Sequence, residues 1–179
     1  ALVSLIMLNG LKLAATFAAL RHPPRPEPAL DADALPVISV IVAMYDEGDI
    51  APRLVRRLSR LDYPREKLDI LLAVEAADTV TRDALAAADL PVWMRVIVVP
   101  EGRVTTKPRA LNVALEHCRG TIVGVYDAED APAPDQLRKV AARFGARGQS
   151  VACLQGKLDF YNPTTNWLSR CFTVEYAIW

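Results

Sequence analysis

Residues 35–45 read LPVISVIVAMY, a largely apolar run rich in β-branched side chains. A continuous apolar run of this length is typical of a strand buried on both faces of a parallel sheet. The sequence then changes character, because residues 45–49, YDEGD, carry three acids in five positions. The stretch therefore predicts a central parallel strand that ends in an acidic loop.

Outward from this run, strand-like and helix-like segments alternate along the chain. Further strands are predicted at 68–78, 92–100, 120–130 and 151–161, and helices at 50–62, 79–88, 107–118 and 133–145. Alternation at this spacing is typical of a parallel, doubly wound sheet. The sequence thus predicts the α/β fold class, with a mostly parallel sheet flanked by helices.

The first twenty residues are a segment of another kind. Residues 1–20 include about fifteen apolar side chains, roughly the length of a helix that spans a bilayer. Arginines in the following RHPPRP, residues 21–26, would place the next domain in the cytoplasm. We expect a transmembrane or anchoring helix in the inner or plasma membrane; the alternative is an apolar packing helix of a soluble protein.

Composition suggests how the rest of the chain is divided. Residues 21–36 are rich in proline and read as a linker, and residues 37–162 hold the predicted domain. Residues 163–179 have apolar side chains at helical spacing, which predicts an amphipathic helix at the start of a further, missing half.

Charge and cysteine content exclude some classes of function. The chain has 21 basic and 21 acidic residues, a balance that argues against a nucleic-acid binder. Its three cysteines are far apart and form no Cys-x-x-Cys pair, which argues against a zinc site.

Acidic residues lie at the carboxyl ends of three of the predicted strands. YDEGD lies at 45–49, EAAD at 75–78 and YDAED at 126–130. Ligands of parallel sheets bind outside the carboxyl ends of the strands, so these acids should meet at one edge. Like charges repel one another, so either the loops are simply solvated or a cation binds between them.

Four stretches in this order resemble the family 2 glycosyltransferases of the GT-A fold, especially the membrane-bound, cellulose-synthase-like members. The stretches are ISVIVAMYDEGD, LDILLAVEAAD, TTKPRALNVAL and VYDAEDAPAPDQL, and the resemblance covers residues 37–160. It implies inverting transfer of a sugar from a UDP-sugar, such as UDP-glucose, to a saccharide acceptor in polysaccharide synthesis.

The resemblance assigns the last of these stretches to a DxD-type segment that works with Mg²⁺ or Mn²⁺. Asp127 and Glu129 would bind the metal or the sugar, with Ala128 between them. Asp130 either binds sugar hydroxyls or holds the turn. Without the resemblance, the same acids would equally suit the start of a helix.

The first two stretches are expected to hold the nucleotide. Tyr45, Asp46 and Glu47 correspond to the segment that binds base and ribose, with Asp46 in place of the usual asparagine. The second stretch often ends in paired aspartates, but this chain has Glu75 and Asp78 with two alanines between. Either acid could read the base, and we favour Asp78.

Other candidate residues follow from position. Lys107 begins a predicted helix, where a positive charge is unfavourable unless an anion such as phosphate binds; the alternative is a solvated basic helix start. Arg109 would assist it, and Asn112 would secure the loop or contact the ribose. Gln155 is expected near the sugar or acceptor, and aromatic side chains could stack on sugar rings or pack in a core: Phe160, Tyr161 and Trp167.

The general base is not assigned. In this family it belongs to a TED-like segment, and processive members add a Gln-x-x-Arg-Trp segment; neither occurs in the 179 residues. We therefore expect a donor-binding half that is inactive alone. The alternatives are a non-catalytic scaffold of the same fold and a nucleotidyltransferase, which the lack of a Gly-rich phosphate loop disfavours.

Overall fold

The computed structural model describes residues 2–21, 30–148, 151–156 and 164–178. They belong to two compact units. The larger unit is Pro28–Ser150, and the smaller unit combines Ala1–Glu27 with Val151–Trp179.

The larger unit contains a parallel sheet, as the alternating sequence predicts. Its strands are β1 (Ile38–Met44), β2 (Leu68–Glu75), β3 (Met94–Val99) and β4 (Ile122–Tyr126). The described strands lie in the order β3-β2-β1-β4, and all neighbouring pairs are parallel. β1 is therefore central, with Ile38 opposite Leu68 on one side and Ile122 on the other.

Helices alternate with these strands. They are α2 (Ala51–Leu58), α3 (Thr79–Ala86), α4 (Lys107–Leu115) and α5 (Gln136–Arg147); the smaller unit contributes α1 (Leu2–Arg21) and α6 (Trp167–Ile178). The observed α5 begins later than predicted because Pro134 disfavours a helical conformation for Ala133 before it. Gly145, predicted to end this helix, lies within it, and Gly148 closes it with a φ of 56°.

Successive residues of β1 enter apolar clusters on opposite faces of the sheet. Val40 and Val42 belong to the larger cluster, which includes Leu58 of α2 and Leu137 of α5. Ile41 belongs to the smaller cluster, against Ala110 and Ala114 of α4. Burial on both faces explains why the strand reads as a continuous apolar run.

The amino ends of the strands are held together by a buried carboxylate that sequence reasoning missed. Asp69 of β2 is 2% exposed and accepts hydrogen bonds from the Ser39 hydroxyl and the guanidinium groups of Arg95 and Arg119. Burial works to raise the pKa of Asp69, but these hydrogen bonds outweigh it and lower the pKa to about 2. The network joins β1, β2, β3 and the entry to β4.

Residues assigned to the linker are attached to the larger unit at their carboxyl end. A short 3₁₀ helix spans Ala32–Ala34, and the Lys67 ammonium donates to the backbone carbonyls of Ala32, Asp33 and Leu35 at 2.8–2.9 Å. The chain is therefore fixed before β1 begins. The part of the predicted linker from 22 to 29 lies outside the described residues.

Two predictions fall in the smaller unit. The fifth strand is wrong for residues 151–156, which form no regular secondary structure, and residues 157–161 lie outside the described ones. The helix expected at 1–20 is present as α1, but no helix in the described ranges is both long and apolar enough to cross a bilayer, so the membrane span is not confirmed. Asn9, Gly10 and Lys12 interrupt the apolar sequence of α1.

Candidate functional site

The acidic loops meet at the carboxyl edge of the sheet, around a cavity of about 440 Å³. Seven of the predicted site residues line this cavity: Tyr45, Glu47, Glu75, Lys107, Asp127, Ala128 and Glu129. Asp46, Asp78, Asn112 and Asp130 are not among its lining residues, and Asn112 is exposed on α4. Gln155 is exposed and belongs to the smaller unit, so its contact with a sugar stays a prediction.

The loop after β1 carries an unusual backbone conformation at Asp46. Its φ is 55°, in the left-handed region that aspartate and asparagine tolerate better than most residues. The Asp46 N–H donates to Asp78 Oδ2 at 2.7 Å, and the Glu47 N–H donates to Thr81 Oγ1 at 2.9 Å. The loop is therefore attached to the start of α3, and Tyr45 beside it is 63% exposed at the cavity.

Asp78 uses both carboxylate oxygens inside the fold. Oδ2 accepts from Asp46, and Oδ1 accepts from the Thr81 N–H at 3.0 Å as the N-cap of α3. Burial works to raise the pKa of Asp78, but hydrogen bonds from Thr81 and Asp46 outweigh it and lower the pKa. Of the two acids that could read the base, Asp78 thus shapes the loop, and Glu75 is the one at the cavity.

Glu75 ends β2 and is 5% exposed. Arg109 Nη1 donates to its two oxygens at 3.2 and 3.0 Å, and Arg109 Nη2 donates to the Pro100 carbonyl. Such an ion pair offsets the loss of hydration of a buried carboxylate. Arg109, expected to assist at phosphate, instead pairs with Glu75 and so joins β2 to α4.

Lys107 is the first residue of α4, as predicted. Its ammonium donates to Asp127 Oδ1 at the cavity, and the two side chains are 46% and 48% exposed. A basic residue at the positive end of a helix thus faces the acidic turn that follows β4.

The acidic turn is closed by its own residues. The Asp127 N–H donates to Asp130 Oδ2 at 2.8 Å, and the Asp130 N–H donates to the Asp127 carbonyl at 3.0 Å. Burial raises the pKa of Asp130, against the opposing charges of Lys107 and Arg57. Of the two roles left open for Asp130, the structure places it in the turn, while Glu129 is exposed at the cavity.

Two features of the site have no clear sequence signal. Glu47 Oε2 is buried and has no hydrogen-bond partner among the described residues, and burial followed by the charge of Glu129 raises the pKa of Glu47. Arg57 of α2 donates to the backbone carbonyls of Glu129 and Asp130 at 2.7 and 3.3 Å. Only the packing of α2 against the turn brings the Arg57 guanidinium to these two carbonyls.

The residues at the cavity suit a divalent cation that is bound partly by protein carboxylates and partly by the oxygens of a phosphate. Within the described ranges no three or more His, Cys, Asp and Glu side chains form a group that could hold a metal. Asp127 and Glu129 supply two carboxylates, and Mg²⁺ typically takes one or two together with phosphate oxygens and water. The unpartnered oxygen of Glu47 adds a further unused acceptor at the same cavity.

Comparison with known proteins adds a family and several relatives. A family model described as Glycosyltransferase like family 2 matches residues 36–179. The chain is 27% identical over 178 residues to a beta-monoglucosyldiacylglycerol synthase of Synechocystis sp., covering 96% of this chain and 36% of that protein. It is 23% identical over 173 residues to glucomannan 4-beta-mannosyltransferase 1 of Oryza sativa subsp. japonica, covering 87% and 32%. The chain spans about a third of the length of these curated relatives.

Two solved structures are also similar. The mannosyltransferase PcManGT of Pyrobaculum calidifontis, in complex with GDP-Man and Mn²⁺, superposes with a TM-score of 0.61 at 27% identity, covering 88% of this chain and 48% of that one. S. aureus TarS, in complex with UDP-GlcNAc, gives a TM-score of 0.50 at 20% identity, covering 67% and 37%. The second likeness concerns the fold alone.

Proposed function

The chain belongs to the glycosyltransferase-like family 2, and we propose that its acidic cavity binds the diphosphate of a sugar nucleotide together with Mg²⁺ or Mn²⁺. In the whole protein this site serves inverting transfer of a hexose from a UDP-sugar to a saccharide acceptor.

The observation that carries the proposal is the ion pair between Lys107 and Asp127, both of which line the cavity. Lys107 and the N-terminus of α4 favour an anion. Asp127 and Glu129 favour a cation. A diphosphate with its bound cation offers both groups a partner at once, whereas a neutral ligand offers one to neither.

Each cavity residue then has a role. Asp127 and Glu129 hold the cation, Lys107 binds the phosphates, and the exposed ring of Tyr45 stacks on the base. Glu47 and Glu75 lie where the base or ribose enters. The cation, when bound, neutralises the charge that develops on the departing diphosphate.

Donor identity rests on the resemblance to cellulose-synthase-like enzymes, which supports UDP-glucose. GDP-sugars are the competing donors, because the archaeal mannosyltransferase was solved with GDP-Man. The name of the Synechocystis relative indicates a glucosylated diacylglycerol as its product, so a lipid is the competing acceptor. Action at the cytoplasmic face of a membrane is part of the proposal, supported by the exposed apolar side chains of α1, such as Leu5, Met7 and Phe17.

Calorimetric titration of UDP-glucose and GDP-mannose, each with and without Mn²⁺, tests the proposal. We expect Mn²⁺-dependent binding of UDP-glucose, and no turnover by the 179 residues alone because no general base is assigned among them. Tighter binding of GDP-mannose would replace the proposed donor. Absence of binding to either donor by a folded protein would favour the non-catalytic scaffold.

A further inference from the structure

We propose that Arg57 is a positioning residue that holds the acidic turn, residues 127–130, in the conformation that presents Asp127 to the cavity. The proposal rests on the function proposed above and assigns to α2 a task that the sequence pattern does not indicate.

The backbone carbonyls at the end of the turn need donors from elsewhere. Residues 131–134 read Ala-Pro-Ala-Pro, and a proline has no N–H to donate. Arg57 Nη1 supplies the missing donor, at 2.7 Å from the Glu129 carbonyl and 3.3 Å from that of Asp130. A charged donor makes a stronger hydrogen bond than a neutral one, so the guanidinium is well suited to fix this backbone.

The position of Asp130 controls the rest of the turn. Its carboxylate accepts from the Asp127 N–H, and its own N–H donates to the Asp127 carbonyl. The Arg57 guanidinium donates to the backbone carbonyl of Asp130, and Asp130 in turn is hydrogen-bonded to Asp127. Arg57 therefore acts on Asp127, the residue that pairs with Lys107, through Asp130. Loss of the guanidinium should loosen Asp130 first and Asp127 with it.

The same helix also contacts the loop after β1. The N–H groups of Ile50 and Ala51, at the start of α2, donate to the Glu47 carbonyl at 3.0 and 3.1 Å. α2 therefore contacts the loop after β1 at one end and the turn after β4, through Arg57, at the other. The helix can thus set the spacing between the two loops that line the cavity.

A second attachment of the same segment provides a control. The Asp62 N–H donates to the Pro134 carbonyl at 2.7 Å, and the Asp62 carboxylate accepts from Arg138 Nε and Nη2 at 2.9 and 3.1 Å. This attachment lies beyond the turn and does not involve Arg57. Removing the Arg138 guanidinium should therefore leave the turn in place.

The variants are Arg57→Ala and Arg57→Lys, with Arg138→Ala and the exposed neighbour Arg56→Ala as controls. Amide hydrogen exchange, measured residue by residue, reports on the Asp127 and Asp130 N–H groups. Mn²⁺ affinity in the presence of UDP, measured by water-proton relaxation, reports on the site. We expect faster exchange at these two amides and about tenfold weaker Mn²⁺ binding in Arg57→Ala, with partial rescue in Arg57→Lys and neither change in the controls.

The two readouts separate the two claims. Unchanged exchange at Asp127 and Asp130 in folded Arg57 variants would overturn the positioning role, as would equal Mn²⁺ affinity in Arg57→Ala and Arg56→Ala. If these amides exchange faster in Arg57→Ala but wild type does not bind Mn²⁺ in the presence of UDP, the contact between Arg57 and the turn is upheld and the proposed function is overturned. If Arg57→Ala does not fold, Arg57→Lys is compared with wild type by the same measurements.

Discussion

The ammonium of Lys107, at the start of α4, donates a hydrogen bond to the carboxylate of Asp127, in the turn after β4. The two residues are 20 positions apart in sequence, and each is about half exposed at the cavity. A cation that binds Asp127 must compete with Lys107, whereas a diphosphate offers Lys107 another partner. We therefore expect cation and nucleotide to bind more tightly together than separately.

Lys107→Met tests this relationship. Removing the ammonium should weaken UDP binding about tenfold or more, because a charge-assisted hydrogen bond to phosphate is lost. Mn²⁺ binding without nucleotide should be unchanged or tighter, because the competitor of the cation is gone. Calorimetry on Lys107→Met and on the control Lys139→Met measures both; the exposed side chain of Lys139, on α5, pairs with Asp135. Equal UDP affinity in the two variants would contradict the assignment.

Asp78→Ala should affect both stability and the site. It removes the N-cap of α3 and the acceptor of the Asp46 N–H, so we expect a loss of about 1–2 kcal/mol in the free energy of unfolding. It should also weaken nucleotide binding, because the loop that carries Tyr45 loses an attachment. Urea unfolding and UDP titration check both effects, with the exposed Asp83→Ala on the same helix as control. An Asp78→Ala protein with the same free energy of unfolding as wild type would disprove the capping role.

The pH dependence of stability should report on Asp69. Its folded-state pKa, about 2, lies below the ordinary value of 3.8, so the ionised form stabilises the fold. This contribution, on the order of 2 kcal/mol, is fully present above about pH 4 and is lost as pH falls through the folded pKa.

Asp69→Asn provides the comparison for that pH dependence. The variant should be less stable than wild type at neutral pH, and the difference should shrink as the solution is acidified towards about pH 2. Urea denaturation across this pH range measures it. A difference in unfolding free energy that stays constant with pH would show that ionised Asp69 is not the source.

Gly120→Ala should destabilise the fold by about 1–3 kcal/mol. A Cβ at Gly120 would lie 2.3 Å from the Ser39 backbone nitrogen, so the entry to β4 would have to move away from β1. Gly124→Ala is the matched control within β4, because its Cβ would meet the nearest side chain at 3.9 Å. Thermal unfolding should rank Gly120→Ala clearly below Gly124→Ala; the reverse order would be inconsistent with the close approach at Gly120.

The fold was predictable because its signals are local. The apolar run at residues 35–45 specifies a strand buried on both faces, and alternation with helices specifies a parallel sheet. The acids after β1, β2 and β4 follow from the same topology, since parallel strands end at one edge. The exact start of α5 was missed although the prolines before it are visible in the sequence.

What the sequence could not provide is the partner of each charged group. Glu75 and Asp78 look alike as acids at the carboxyl end of β2, yet Glu75 pairs with Arg109 at the cavity while Asp78 caps α3. Arg56 and Arg57 are adjacent arginines of α2, but of the two only Arg57 contacts the turn. These differences depend on packing between elements that are distant in sequence, and no local pattern records them.

The most direct test of the central claim is calorimetric titration of UDP into wild type and Asp127→Asn, with and without Mn²⁺. Asp127 is half exposed and its side chain contacts Lys107 at the cavity, so the variant should fold normally. Asp135→Asn, an exposed acid paired with Lys139, serves as control. We expect Mn²⁺-dependent UDP binding by wild type and Asp135→Asn and none by Asp127→Asn. UDP binding with unchanged Mn²⁺ dependence in Asp127→Asn would contradict it.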